Sequence, residues 1–283
     1  MATINLATKF LPYVDEKFTT ESKKSIITNQ DFDWTGAHSV KVYKVSTSPM
    51  NDYDRAAANT ENWSRFGPVG GLDAVTEEMV LKKDRSFTFA IDKLDTDETA
   101  QQLQAAQALA RQMREVVIPE VDSYVYSVMA ENAGHKHVTN EGGDVTSLYD
   151  DIVRASLALD EAEVPETQRY LIVTPDTYYI MKHDSNIIME TDIGSEQRAK
   201  GVIAMLDGAS VIKVPATRLP VGFCFMMCHP SATVAPTKLE DYRIHSDPPG
   251  ISGSLVEGRI CYDAFVLDNK KNAIYYQSNT ATA

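Results

Sequence analysis

The sequence has no GxxxxGK run and no GxGxxG run, so the backbone cradles that hold nucleotide phosphates are missing as motifs. No stretch approaches the roughly eighteen apolar residues of a membrane-spanning helix. Met1 to Leu11 lacks the basic start and apolar centre of a secretory signal, so the expectation is a protein kept in a cytoplasm. Asn62-Trp63-Ser64 is then a chance match to the glycosylation pattern. Cysteine is scarce and odd in number, with three in 283 residues, which argues against a disulfide framework. Cys224 and Cys228 fall in one apolar run that reads as a buried strand, where four residues separate them by roughly 13 Å. A bridge needs Cα atoms within roughly 7 Å. Both thiols are expected as small core residues. Basic residues are also in the minority, 27 against 40 acidic, and the net charge of −13 repels a polyanion instead of recruiting it.

Catalytic constellations are equally thin. Gly250-Ile-Ser-Gly-Ser254 has serine where a nucleophile elbow has its last glycine, and it follows Pro248-Pro249 instead of a strand. His135 and His137 flank Lys136 where a long helix pattern ends, so they are expected to satisfy terminal carbonyls. A zinc site would need further ligands at known spacing, and Cys224, Cys228 and His229 on one strand are too far apart to share a metal. No catalytic residue, cofactor or metal ligand is assigned.

What is present is a long amphipathic pattern from Asp95 to Gly134. Leu103, Ala106, Ala110, Met113, Val117, Val121, Tyr124 and Val128 recur at steps of three and four, forming one apolar stripe. Unbroken, it would span roughly 55 Å at 1.5 Å per residue. Asp95 is expected as N-cap and Gly134 as the stop, with a kink or short break at Pro119. Lys93, Arg111, Arg114 and Arg154 stand among acids, as on a solvated helix face.

Two strands precede this helix, Val40-Lys-Val-Tyr-Lys-Val45 and Phe87-Thr-Phe-Ala-Ile91, separated by about forty mostly polar residues. A loop that long is usually functional. Trp63 and Phe66 sit in it with no periodic apolar pattern to bury them, beside Arg65. After Gly142-Gly143-Asp144 comes a second helix with Ser147 and Asp150 as a capping box and Leu148, Ile152, Ala155 and Leu159 on one face. Arg169-Tyr-Leu-Ile-Val-Thr174 reads as a strand, Thr174-Pro175 as the start of a short helix, and Gly201 to Pro215 as strand, turn, strand about Gly208. Val221 to Cys228 is another strand, and Leu255 to Leu267 with Ala273 to Tyr276 is expected as a last hairpin. The fold class is mixed α+β without a repeat.

Taken in order, these pieces resemble the major capsid proteins of tailed bacteriophages, which have the Hong Kong 97-type fold. The segments that carry the likeness are Ile26-Ile-Thr-Asn-Gln-Asp-Phe-Asp-Trp34, Val40-Lys-Val-Tyr43, Asp84-Arg-Ser-Phe-Thr-Phe89, Val116-Val-Ile-Pro-Glu-Val-Asp122 and Ile260-Cys-Tyr-Asp-Ala-Phe-Val-Leu-Asp-Asn-Lys-Lys271. They are similar to capsid proteins of phages and prophages of Gram-positive bacteria. The resemblance implies an N-terminal arm over 1–35, an E-loop with flanking strands over 36–95, and a spine helix with part of the P domain over 96–143. An A domain over 144–240 and returning P-domain strands with a tail over 241–283 complete it. It implies a structural protein, not an enzyme, that self-assembles as hexamers and pentamers into an icosahedral virion shell. Partners would be separate scaffolding, portal and decoration proteins, with double-stranded DNA enclosed and not read. No membrane is involved. The chain opens directly on the arm, so a separate scaffold or none is expected. Intersubunit contact candidates are Trp63, Arg65, Phe66, Arg111 and Arg114. The same fold could instead form an encapsulin-like compartment, and the remote alternative from another class is a soluble hydrolase.

Overall fold

The computed structural model describes residues 21–29, 31, 39–45, 47–53, 55, 64–68, 71, 74–98, 104–139, 147–184, 187 and 202–279. The chain divides into two compact units, Trp34–Leu81 and a body made of Met1–Asp33 with Lys82–Ala283.

In the small unit, β1 (Ser39–Val45) pairs antiparallel with β2 (Ala74–Val80), Ser39 opposite Val80 and Val45 opposite Ala74. β2 lies inside the stretch expected to be loop, because Glu77 and Glu78 interrupt its apolar alternation. The pairing accommodates both acids: Lys44 Nζ lies 3.0 Å from Glu77 Oε2 and Lys41 Nζ 3.9 Å from Glu78 Oε2. Cross-strand charge pairs thus replace the hydrophobic signal that sequence reasoning depends on.

In the body, β3 (Lys83–Asp92) runs into α2 (Lys93–Glu98). Asp92, not the expected Asp95, opens this helix, since its Oδ1 accepts from the Leu94 N–H at 2.8 Å while Asp95 already lies in the first turn. Residues 99–103, including Leu103 of the expected stripe, lie outside the described residues. The helix is described again as α3 (Ala105–Gln112), passes through a π turn over Met113–Val117, and continues as α4 (Ile118–Glu131). The interruption expected at Pro119 takes this form. Proline cannot donate to the carbonyl four residues back, so it sits at the start of α4, and the preceding turn widens until the Ile118 N–H bonds Met113 O, five residues away.

The expected stripe is only half correct. Ala106 and Ala110 are exposed and α3 contributes no fully buried residue, whereas Val117 and Val121 are buried. The deepest positions, Val125, Tyr126 and Met129, lie off that stripe because α4 is covered on more than one side. Gly134 is not the stop. The helix ends at Glu131, where Asn132 Nδ2 donates to Val128 O at 2.9 Å and Lys136 Nζ donates to Glu131 O. Gly134 serves a close crossing: a Cβ there would stand 2.4 Å from Asn272 Oδ1 and 2.7 Å from Asn272 Cα.

Beyond it, β4 (His135–Val138) is the edge of a six-stranded sheet. Its other strands are β5 (Tyr170–Val173), β6 (Val202–Leu206), β7 (Ala209–Lys213), β8 (Phe223–Cys228) and β13 (Ile274–Ser278), in the order β4-β13-β8-β5-β7-β6. Successive side chains point to opposite faces, so each short apolar strand serves two cores. Ile172, Ile212, Met226, Cys228, Ile274 and Tyr276 face Val125, Tyr126 and Met129 of α4. Leu171, Val173, Val211, Phe225, Met227 and Tyr275 face two further helices, α5 (Leu148–Glu161) through Ile152, Ala155 and Leu159, and α6 (Pro175–His183) through Met181. Each large side chain fully buried in these layers contributes about 1.5–3 kcal/mol. The Ser147–Asp150 capping box and the Thr174 cap with Pro175 first in α6 form as the sequence indicates.

The expected final hairpin does not form. β11 (Gly253–Tyr262) is the centre of a three-stranded sheet between β3 and β10 (Thr237–Ser246). β12 (Phe265–Val266) pairs with β9 (Thr233–Val234), and Asp268–Ala273 is a 3-10 turn leading to β13 in the other sheet. A polar pentapeptide between two apolar runs signals a turn, but it does not say whether the flanking strands pair with each other.

Candidate functional site

The six-stranded sheet brings a cysteine, a histidine and an aspartate into one region. Asp151 of α5 is 1% exposed, and Gln277 of β13 donates through Nε2 to Asp151 Oδ2 at 3.4 Å and to Thr139 Oγ1 at 2.9 Å. His137 of β4 contacts Gln277 Nε2 through Nδ1 and Arg154 Nη1 through Nε2, both at 3.3 Å. Each ring nitrogen thus faces a donor nitrogen, and since a neutral imidazole accepts at only one of its two nitrogens, the two contacts are not hydrogen bonds at the same time. Burial pushes the Cys224 thiol above its ordinary pKa, and burial alone pushes Cys228 up to about 12. An activated nucleophile needs the opposite shift.

The capping role expected for His135 and His137 is corrected by their place on β4, where His135 stacks on Tyr275. No group of three His, Cys, Asp or Glu side chains among the described residues could hold a metal ion. Of Gly250-Ile-Ser-Gly-Ser254, the first three residues lie in the turn between β10 and β11, and Gly253 and Ser254 open β11.

Two other buried acids act as posts. Asp122 of α4, 2% exposed, receives Arg218 Nη1 at 2.7 Å and Ser22 Oγ at 2.6 Å. Burial raises its pKa, against the lowering by Ser22 and Arg218. Asp263 between β11 and β12, 3% exposed, receives Lys82 N–H at 2.7 Å, Tyr124 OH at 2.7 Å and Ala264 N–H at 2.8 Å. Burial, followed by this Asp263 contact, raises the Tyr124 pKa. Neither post was found from the sequence. The available cue was an acid, Asp122, between the buried Val121 and Val125 of one helix.

The more informative surface is apolar. Among the described residues fourteen large hydrophobic side chains are exposed, and six of them, Tyr43, Val45, Met50, Tyr53, Phe66 and Val75, fall in the small unit of Trp34–Leu81. A unit of about a sixth of the chain thus carries nearly half of them, more than scattered surface hydrophobics account for. Phe66 is 75% exposed and meets Tyr53 edge-on, ring centroids 5.0 Å apart. Arg65 beside it is exposed, while Trp63 lies outside the described residues. In the body, Arg111 is half-buried and lines a groove of about 340 Å³ with Phe89, Ile91, Ala108, Gln112 and Glu115. Arg114 is exposed and its Nε donates to Ala110 O at 3.4 Å. Of the other cations, Lys93 pairs with Asp247 across 2.5 Å, a tertiary contact and not a helical one, and Arg154 pairs with Asp151 at 3.5 Å. The sequence-derived contact candidates are therefore shared between both units.

No protein-family model matches the chain, and no curated protein matches it in sequence. Solved structures do. A chain of Mycobacterium phage Che8 superposes with a TM-score of 0.75 at 17% identity, covering 98% of each chain. A capsid chain of cyanophage P-SCSP1u gives 0.71 at 14% identity over 98% of this chain and 94% of its own, and one from the mature capsid of bacteriophage PhiM1 gives 0.68 at 11% over 98% and 93%. The fold is mixed α+β of the Hong Kong 97 type found in such capsids.

Proposed function

We propose that this protein is the major shell subunit of a tailed-phage-type particle, a structural protein without catalytic activity. The observation that carries the reading is the whole-chain correspondence with capsid chains, which covers nearly all of both partners. The surface supports it: a hairpin unit that leaves its own aromatics exposed offers a face for a neighbour, and a closed shell is built from neighbour-to-neighbour contacts that close on themselves. Trp63, Arg65 and Phe66 of one copy, with Arg111 and Arg114 of the next, are the proposed contacts. Truncating an interface anchor such as Phe66 costs about 2 kcal/mol or more. Hexamers and pentamers would enclose double-stranded DNA without sequence-specific binding, since a net charge of −13 favours no DNA-reading surface. Scaffolding, portal and decoration proteins are the proposed partners, the virion the final location and the host cytoplasm the site of assembly.

Negative-stain microscopy of the purified protein, alone and with a co-expressed scaffold, tests this. Closed shells are expected. Sedimentation showing only monomer at every concentration, with scaffold present, refutes it. Trypsin should cut at Arg55 and Arg65 rapidly in free subunits and slowly in particles, whereas equal resistance in both states means the loop packs within one subunit.

A further inference from the structure

The N-terminal segment makes a contact that shell assembly does not explain. Residues Lys24–Ile27 form a single helical turn, α1, far below the length at which a helix is stable by itself. It is therefore held by its seat. Ile27 is fully buried among Tyr126, Met129, Ala232 and other core residues, Asn29 N–H donates to Thr233 O at 2.7 Å, and Lys24 Nζ donates to Thr237 Oγ1 at 3.2 Å. Ser22 Oγ donates to Asp122 Oδ1.

The other oxygen of Asp122 is already held by Arg218, a pair in which both side chains are buried and neither belongs to this segment. The Arg218 contact itself does not involve the segment. We propose that residues Ser22–Asn29 are a detachable strap, docked on a preformed Asp122–Arg218 seat and able to open while α4 and the six-stranded sheet remain folded.

Hydrogen exchange of the full-length protein, read by mass spectrometry on peptides spanning 21–29 and 118–131, tests this. The strap is expected to exchange through a local opening, well ahead of α4. S22A, which removes a hydrogen bond to a charged group, should speed strap exchange about tenfold and leave α4 unchanged. If S22A accelerates both peptides equally, the segment is an integral part of the core and the proposal fails. It also fails if S22A leaves the strap peptide unchanged, because Asp122 then does not hold it. Neither result depends on whether the protein forms shells, so the strap and the assembly reading stand or fall separately.

Discussion

Replacing Asp263 offers the sharpest test of the body's architecture, because this one carboxylate ties together three elements distant in sequence. It receives Lys82 N–H just ahead of β3, Tyr124 OH on α4 and Ala264 N–H ahead of β12, all within 2.8 Å, and it is 3% exposed. Hydrogen bonds to a charged acceptor contribute about 1.5–3 kcal/mol each, but the cost of burying the carboxylate offsets part of that sum. Removing the carboxylate leaves two N–H groups and a hydroxyl without their acceptor, at about 1–3 kcal/mol for each that stays buried and unsatisfied. D263A should therefore lower stability by about 4 kcal/mol, a large share of the about 5–15 kcal/mol a domain has. At about 2–4 °C per kcal/mol for a chain of this size, the melting temperature of the unassembled subunit falls by about 10 °C. D263N keeps the shape and one acceptor for Tyr124 and Ala264 but turns an NH₂ toward Lys82 N–H, so roughly half the loss is expected. In the cycle of D263A with Y124F, the double variant should lose less than the sum of the singles by about 1 kcal/mol. Denaturation of all four proteins by heat and by urea decides it. A D263A melting temperature within about 2 °C of wild type would refute the reasoning.

Four further outcomes follow from other parts of the molecule. Gly258 on β11 lies opposite Phe87 and Tyr242, whose rings are 6.2 Å apart, and a Cβ there would stand 2.3 Å from Phe87 Cζ, so G258A should cost about 1–3 kcal/mol in urea denaturation and F87L should recover part of it. P119A should allow the π turn at Met113–Val117 to relax toward α-helix and change shell diameter or yield, whereas unchanged particles in microscopy would mean the proline is merely tolerated. All three cysteines are free, so non-reducing gels should show one monomer band, and Cys228, with its pKa near 12, should react with a thiol reagent at pH 8 only after unfolding. The hydrogen bond from Arg259 to Asp84 and that from Lys93 to Asp247 hold both carboxyls below their ordinary pKa. Their stabilisation is present above the unfolded carboxylate value of about 3.9 and is lost as pH falls through the folded values, so acid titration of D84N should show a smaller loss than wild type below about pH 4.

Local chemistry was legible wherever one residue type dictates a backbone choice. The Ser147–Asp150 box, the Thr174 cap with Pro175, the Gly208 turn and the free thiols of β8 depend on neighbours a few residues away, and the structure contains each of them. Pro119 fixed where the long helix is interrupted, but only the packed structure decided that the remedy is a π turn and not a break.

What tertiary structure alone decided is pairing and coverage. Nothing in Leu255 to Tyr276 reveals that β11 pairs with β3 while β13 joins β4 and β8, because strand partners are selected by the faces left uncovered elsewhere in the chain. The same holds for the posts. Asp122 and Arg218 are 96 residues apart, as ordinary as any acid and base in the sequence, and acquire their role only when folding buries both. Burial is what turns a charge into a constraint, since an acid in water needs no partner and an acid in a core does.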